Sequence, residues 1–265
     1  MSDQLDAAVE AAWAYERLHV NALFRQWVQP VLDAAGATSG SRVLDVACGT
    51  GVVAREALAR VGPTGSVVGL DIDPAMLAVA ESIEPAVTWT VGDAGELPFD
   101  DDEFDAVVSQ FGLMFFPDRV QAISEMLRCA KPGTRVTVAV WESLEHSTAY
   151  SISVDLLNRR AGSAAADALR APFVLGATDQ LQRLFEQAGA STVSIDTQPG
   201  TARFPSVRSM VEADVRGWLP VMGVVLPDDL IERILVEADG ALSEYVTDDG
   251  QMMFDAPAHI VTAQA

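Results

Sequence analysis

The segment VLDVACGTGVVA, residues 43–54, reads as an apolar strand, a glycine turn and the first turn of a helix. Gly49 and Gly51 let the backbone turn tightly and let a ligand approach with no Cβ in the way. The helix that follows presents unpaired N–H groups, which suit a carboxylate or a phosphate. The next apolar run, SVVGLD at 66–71, ends on Asp71, about 20 residues beyond Gly51. At that spacing an acid accepts hydrogen bonds from ribose hydroxyls. Asp93 ends a third run, VTWTVGD at 87–93, and lines the same edge.

Outward from this point, strands and helices alternate. RVLDV (42–46) runs into a helix over 52–60, which VGPTG (61–65) stops. Asp73-Pro74 opens the next helix, Asp as N-cap and Pro in the first helical position. FDAVVSQ (104–110) reads as a fourth strand and TRVTVAVW (134–141) as a fifth. Between them Asp118 caps a helix with Val120, Ile123, Leu127 and Ala130 on one face, and Lys131-Pro132-Gly133 ends it. Apolar strands alternating with helices imply a doubly wound α/β fold whose parallel sheet is covered on both faces. Ligands of such sheets sit at the carboxyl ends of the strands, at the switch point. Upstream, residues 3–34 carry helical periodicity, and Pro30 with the Gly36–Gly40 stretch marks a loop. Downstream, 147–161, 178–188, 206–218 and 228–246 read as helices, 191–197 as a strand, and QMMFDAP and HIVTAQA as two last strands. The apolar loop 219–226 is expected to pack on the sheet rather than to cover a pocket.

Composition narrows the function. The chain has 265 residues, 49% hydrophobic and 21% charged, with Lys+Arg 17 against Asp+Glu 38 and a net charge of −21. Such a surface repels phosphate backbones and anionic lipid, so neither nucleic acid nor a membrane is the expected partner. Cys48 and Cys129 are the only cysteines, which supports neither a disulfide framework nor a CxxC metal site. No signal-like start and no apolar run of about 18–20 residues is present, so a cytoplasmic protein is expected. Lys131 is the only lysine; arginine-favouring codon usage accounts for that more simply than adaptation to high salt, and no function follows from it.

Gly49 to Ala54 also fits the dinucleotide pattern GxGxxA. It is not a Walker loop, because Lys131 precedes Pro132. Asp45 inside the first strand, and Cys48 within D-x-x-C-G-T-G, argue against a nicotinamide cofactor. An NAD(P)-dependent oxidoreductase and a catalytically silent cofactor-binding module stay open as alternatives. Asp71-x-Asp73 is explained by ribose binding plus helix capping. Asp100–Glu103 lacks EF-hand spacing, and no metal site is expected. Cys48 reads as a small buried side chain.

VLDVACGTG, GLDIDPAML, VGDAGELPF, FDAVVSQFGLMFF and LRCAKPGTRVTVAVW together resemble the successive motifs of class I S-adenosylmethionine-dependent methyltransferases. The similar branch is that of the ubiquinone/menaquinone C-methyltransferases and their small-molecule relatives. The resemblance covers about residues 40–141. It implies a Rossmann-like seven-stranded sheet with its last strand antiparallel, a role HIVTAQA can fill. It implies S-adenosylmethionine as cofactor and a small organic methyl acceptor. Asp45 and the Ala47–Gly51 turn, Thr50 included, would hold the methionine end. Asp71 would bind the ribose, Ile72 would lie against the adenine, and Asp93 and Ala94 would meet its amino edge. Ser109 and Gln110 would lie beside the methionyl portion. On this reading residues 1–38 form a helical lid, 39–145 the cofactor-binding core, and 146–265 complete the sheet and carry acceptor-pocket helices. Phe111, Phe116 and Trp141, with Met114 and Phe115 nearby, are the aromatic and apolar candidates for acceptor contact. His146, just past the fifth strand, is the expected general base. Tyr15 and His19 on the N-terminal helix are placed to close over the cofactor. The oligomeric state, the acceptor's identity and the methylated atom are not readable from the sequence.

Overall fold

The computed structural model describes residues 2–264. Its centre is a seven-stranded sheet of order β3-β2-β1-β4-β5-β9-β6. The strands are β1 Arg42–Val46, β2 Ser66–Asp71, β3 Thr88–Val91, β4 Ala106–Gln110, β5 Arg135–Trp141, β6 Thr192–Gln198 and β9 Ala258–Gln264. β9 is antiparallel to both β5 and β6, while β1 to β5 pair in parallel. The sheet order reverses at β1, so the crevice between the ends of β1 and β4 is the switch point where open α/β sheets take ligands. β1, β2, β4 and β5 are buried nearly throughout, as a sheet covered on both faces requires.

The helices are set by local chemistry. The first is α1 (Ser2–Tyr15), and α2 (Val28–Ala35) rests on β4, β5 and β9. The helix continues through Pro30 instead of stopping there, because proline in the first turn removes no needed N–H. Gly36, in the left-handed region at φ 72°, ends it. α3 (Val52–Val61) starts from Gly51 at φ 82°. Asp73 caps α4 (Pro74–Ile83) by accepting from Ala75 N at 2.8 Å, and Asp118 caps α5 (Arg119–Cys129) by accepting from Gln121 N at 3.0 Å.

Past β5 the chain adds α6 (Thr148–Ala161), α7 (Ser163–Arg170) and α8 (Thr178–Gln187) before β6. A two-stranded sheet of β7 (Thr201–Phe204) and β8 (Met252–Asp255) follows, with α9 (Val207–Glu212), α10 (Leu219–Val221) and α11 (Asp228–Ala241) between its strands. α7 and β7 are absent from the sequence reading: α7 is short and alanine-rich, and β7 has only four residues. The helix expected to reach 246 ends at Ala241 and gives way to a 3₁₀ turn.

Two stretches are wound as π-helix, Glu16–Phe24 and Ala213–Trp218. Such segments are rare and recur at functional sites. Of the apolar residues 219–226, Met222, Val224 and Leu226 are half-buried and pack against the hydrophobic core. Leu219 is buried, whereas Val221 and Val225 are 62% and 79% exposed, and Val221 and Met222 border the crevice at the sheet edge. The expected packing therefore holds for part of the segment, while Val221 and Met222 also border a pocket.

Candidate active site

The ends of β1, β2 and β4 and the loop after β3 enclose a crevice of about 1440 Å³, open mouth included. Asp45, Ala47, Gly49, Asp71, Ile72, Asp93, Ala94, Gln110, Phe111 and Phe116 all line it. Two backbone features shape its floor. Ala47 and Phe111, which follow β1 and β4, both hold left-handed φ angles, 57° and 58°. Non-glycine residues in that region are uncommon and store strain that the surroundings must hold. Gly112 packs between the two turns: a Cβ there would come within 2.6 Å of Ala47 Cβ.

The acids are tied to the glycine turn. Asp71 Oδ2 accepts from Gly49 N at 2.7 Å and Oδ1 from Asp73 N at 2.9 Å. Asp45 Oδ2 accepts from Ala54 N, in the first turn of α3, at 3.0 Å. Burial pushes the Asp45 carboxyl up to about 8, with the Asp71 charge adding to it. Asp71 is also raised, chiefly by burial, and its backbone hydrogen bonds oppose the shift. Asp93 uses Oδ1 to accept from Gly95 N at 2.8 Å. Four carboxyl groups (Asp45, Asp71, Asp73, Asp93) line this crevice, and no Lys, Arg or His is among the described residues that do. For Asp45 and Asp71 burial is the main cause of the shift and a neighbouring carboxylate adds to it, and a cationic ligand would relieve both.

Other lining groups are also left unmatched. Gln110 donates through Nε2 to Phe24 O at 3.2 Å, and its buried Oε1 has no partner. Ile72 is 69% exposed at the lip, an apolar surface suited to a flat ring. Gly49 has φ 55°, and a Cβ there would find only the Tyr15 ring, at 3.9 Å.

A second cavity, of about 670 Å³, adjoins the first. Tyr15, Phe24, Phe111, Phe115 and Trp218 line both. The dividing wall is aromatic. Phe111 stacks on Trp141 at 3.9 Å and 15°, Phe24 lies 5.5 Å from Phe111, and Tyr15 stacks on Phe24 at 5.6 Å. Trp141 lines the second cavity only. The polar groups of this cavity are few: His19, Asp214, Ser147 and the tyrosines Tyr15 and Tyr150. His19 Nε2 faces Asp214 Oδ1 at 3.9 Å, beyond hydrogen-bond reach but within that of an ion pair. Burial pushes the Asp214 carboxyl up and His19 pulls it back. His19 Nδ1, Asp214 Oδ2 and Ser147 Oγ are buried without partners. Each such atom costs about 1–3 kcal/mol, so three around one apolar cavity mark a place built for a polar ligand atom.

Five expected residues are not brought to either cavity, and one of them, Met114, is simply buried in the core. Thr50 donates its hydroxyl to Glu16 Oε2 at 2.5 Å, and Glu16 also pairs with Arg55 at 2.9 Å, so Thr50 anchors the N-terminal helices rather than a ligand. At Gly51 an added Cβ would strike the Trp89 indole; this glycine serves strand–helix packing. Ser109 is fully buried and lines neither cavity, because neighbours in a strand point to opposite faces and Gln110 takes the open one. His146 lies in the 3₁₀ turn Leu144–His146, its side chain 57% exposed and paired with Glu142 Oε1 at 2.7 Å. A strand end on the ligand side was a sound expectation, but the turn after β5 carries the ring outward.

The sequence reading passed over Asp214, Ser147, Tyr150 and Trp218. A signal for Asp214 existed, since it is the acid on the apolar side of MVEADVRGW, among Met210, Val211, Ala213 and Val215, all of which are buried.

A methyltransferase-domain family model matches residues 43–133. A chloroplastic 2-phytyl-1,4-beta-naphthoquinone methyltransferase of Arabidopsis thaliana is 43% identical over 122 residues, 43% of this chain and 47% of that protein. A demethylmenaquinone methyltransferase of Staphylococcus aureus is 31% identical over 203 residues, 70% of this chain and 84% of that protein. The chain thus spans about half the length of the first of these relatives and most of the second. Among solved structures, phosphoethanolamine N-methyltransferase 2 of Haemonchus contortus with S-adenosyl-L-methionine aligns at TM-score 0.60 and 19% identity, covering 96% of this chain and 56% of that one. YcgJ of Bacillus subtilis aligns at 0.58 and 19%, covering 90% and 97%. The fold is that of the S-adenosylmethionine-dependent methyltransferases of class I. Within that class, the chain belongs to the methyltransferase family that includes the demethylmenaquinone methyltransferases.

Proposed function

We propose that the protein transfers a methyl group from S-adenosylmethionine to a small, flat organic acceptor, of the quinol kind that its relatives' names describe. The observation that carries this is the pairing of cavities: an acidic crevice without a basic side chain, sharing an aromatic wall with an apolar cavity. The residues fit the cofactor. Asp71 and Asp93 would take the ribose hydroxyls and the adenine edge. Ile72 would lie along the base, and Gly49 with Gln110 Oε1 would meet the amino-acid end. When bound, S-adenosylmethionine supplies a methyl group on a positively charged sulfur, and an ammonium with it. A dinucleotide would instead set a pyrophosphate among the carboxylates, so the oxidoreductase alternative has no support in this crevice.

The chain's own contribution is alignment and exclusion of water. Oriented reactants gain about 7–11 kcal/mol of the barrier without any base. Phe111 and Phe115 would hold the acceptor ring at the shared wall, and Tyr15, at the end of α1, and Trp218, at the end of the second π segment, would close the gap. Of the sequence-expected acceptor contacts, Phe111 and Trp141 line the apolar cavity and Phe116 the cofactor crevice. Among the described residues no helix is long and apolar enough to cross a membrane.

Calorimetry with S-adenosylhomocysteine and with NAD(P)H separates the cofactors, and only the former is expected to bind. Transfer of an isotopically labelled methyl group to quinols, phenols or amines then tests the activity. Binding without transfer to any of them would leave a silent cofactor-binding module and end this reading.

A further inference from the structure

We infer that His19, positioned by Asp214, is the group that takes the proton from a hydroxyl on the aromatic acceptor. This rests on the methyltransferase reading above and goes beyond it by assigning the base. Three observations converge. First, the two π-helical stretches among the described residues each supply one member, His19 from Glu16–Phe24 and Asp214 from Ala213–Trp218. The wider winding brings both side chains to one cavity, and only 3.9 Å separates them. Second, His19 Nδ1 and Asp214 Oδ2 are both buried and unmatched, which leaves a ring nitrogen free to take up a proton and a carboxylate oxygen beside it. Third, among the described residues lining the apolar cavity, His19 is the only histidine and Asp214 the only carboxylate, and neither Lys nor Arg is present. The ring also sits at the shared wall, stacked 5.6 Å from Tyr15, and Tyr15 borders the cofactor crevice.

The step balances without any further reagent. The acceptor O–H bond breaks and its proton passes to His19 Nδ1. The electron pair so released, on the oxygen or delocalised to the adjacent ring carbon, bonds the methyl carbon as the carbon–sulfur bond breaks; that bond's pair stays on sulfur, which becomes a neutral thioether, and a ring carbon so methylated gives up its hydrogen as a proton to water. The imidazolium, facing Asp214, later releases the proton to water. Ser147 Oγ, also unmatched, lies on the same cavity and can hold a second oxygen of the acceptor.

The test compares wild type with His19→Gln and Asp214→Asn over substituted phenols. Some ionise near pH 10, others are nitro-substituted and already ionised under assay conditions. With the weakly acidic phenols kcat should fall about 10²- to 10³-fold in His19→Gln, and with the ionised ones by less than about 10-fold. Asp214→Asn should show the same selectivity, with about a 10-fold loss on the weak acids. Quenching of tryptophan emission by the phenols, a readout independent of turnover, should give acceptor affinities within about threefold of wild type. S-adenosylhomocysteine affinity reports that each variant is folded. A uniform loss across the series, or none, overturns the assignment of the base while methyl transfer itself stands. Wild-type transfer to amines and to no phenol also overturns it, since Asp214 would then be an anchor for ammonium. Failure of the wild type to bind S-adenosylhomocysteine is a different result, and sinks the methyltransferase reading itself.

Discussion

At Asp71 one carboxyl group holds two backbone N–H groups and faces the crevice, so it is both a structural and a binding residue. Asp71→Asn keeps an acceptor oxygen and loses the charge; S-adenosylhomocysteine binding should weaken by about 1.5–3 kcal/mol, read by calorimetry, and unchanged affinity would remove the ribose assignment. Asp45 makes a pH prediction. Its folded value of about 8 lies above the unfolded 3.8, so the native state holds the proton more tightly than the unfolded chain does. Stability from this group is therefore full below about pH 4 and is lost as pH rises toward 8. Relative to Asp45→Asn, the ligand-free protein should lose melting temperature across that window. A cationic ligand reverses the bias, so binding near pH 7 should release protons, seen as a dependence of the calorimetric heat on buffer ionisation enthalpy. Proton uptake instead would contradict the electrostatic account of the crevice.

Among the elements, the turn between β1 and α3 separates two glycines that look alike in sequence. Gly51→Ala must both adopt φ 82° and displace Trp89, and should cost more than about 2 kcal/mol of stability in denaturant titration. Gly49→Ala faces open space toward Tyr15, so it should cost about 1–2 kcal/mol of stability for its φ, with a larger loss in cofactor affinity. The reverse ranking would exchange their roles. This pair shows what the sequence can and cannot convey. The succession of strands β1 to β5 along the chain and the caps at Asp73 and Asp118 were legible, because they depend on neighbours within a few residues. Thr50, Ser109 and His146 line neither cavity for different reasons: Thr50 is held by the distant Glu16, Ser109 is turned inward by the pleat of β4, and His146 sits on a turn that pairs it with Glu142, two local effects that composition and motif spacing do not reveal. His19 and Asp214 are 195 positions apart, and no local pattern joins them.

The whole molecule carries a net charge of −21, and many of its ion pairs are at the surface, such as Arg233 with Asp229 at 2.7 Å. Exposed pairs are worth about 0–1 kcal/mol each, so the unbalanced repulsion outweighs them. Melting temperature should rise by several degrees when salt is raised from about 0.05 to about 0.5 M, and a fall would show that the pairs dominate. The sheet is the invariant frame on which this charged shell and the two cavities are hung, but the wound segments over it follow a different rule. An α-helix advances about 100° per residue, and an over-wide turn absorbs an extra residue locally, so excising one swings the side chains of that turn by about that angle and leaves the flanking helix in phase. A single-codon deletion in either segment would thus retire the imidazole or the carboxylate from the cavity and leave every strand in register. A lineage could exchange one acceptor chemistry for another through such insertions and deletions alone, with the nucleoside half of the enzyme untouched.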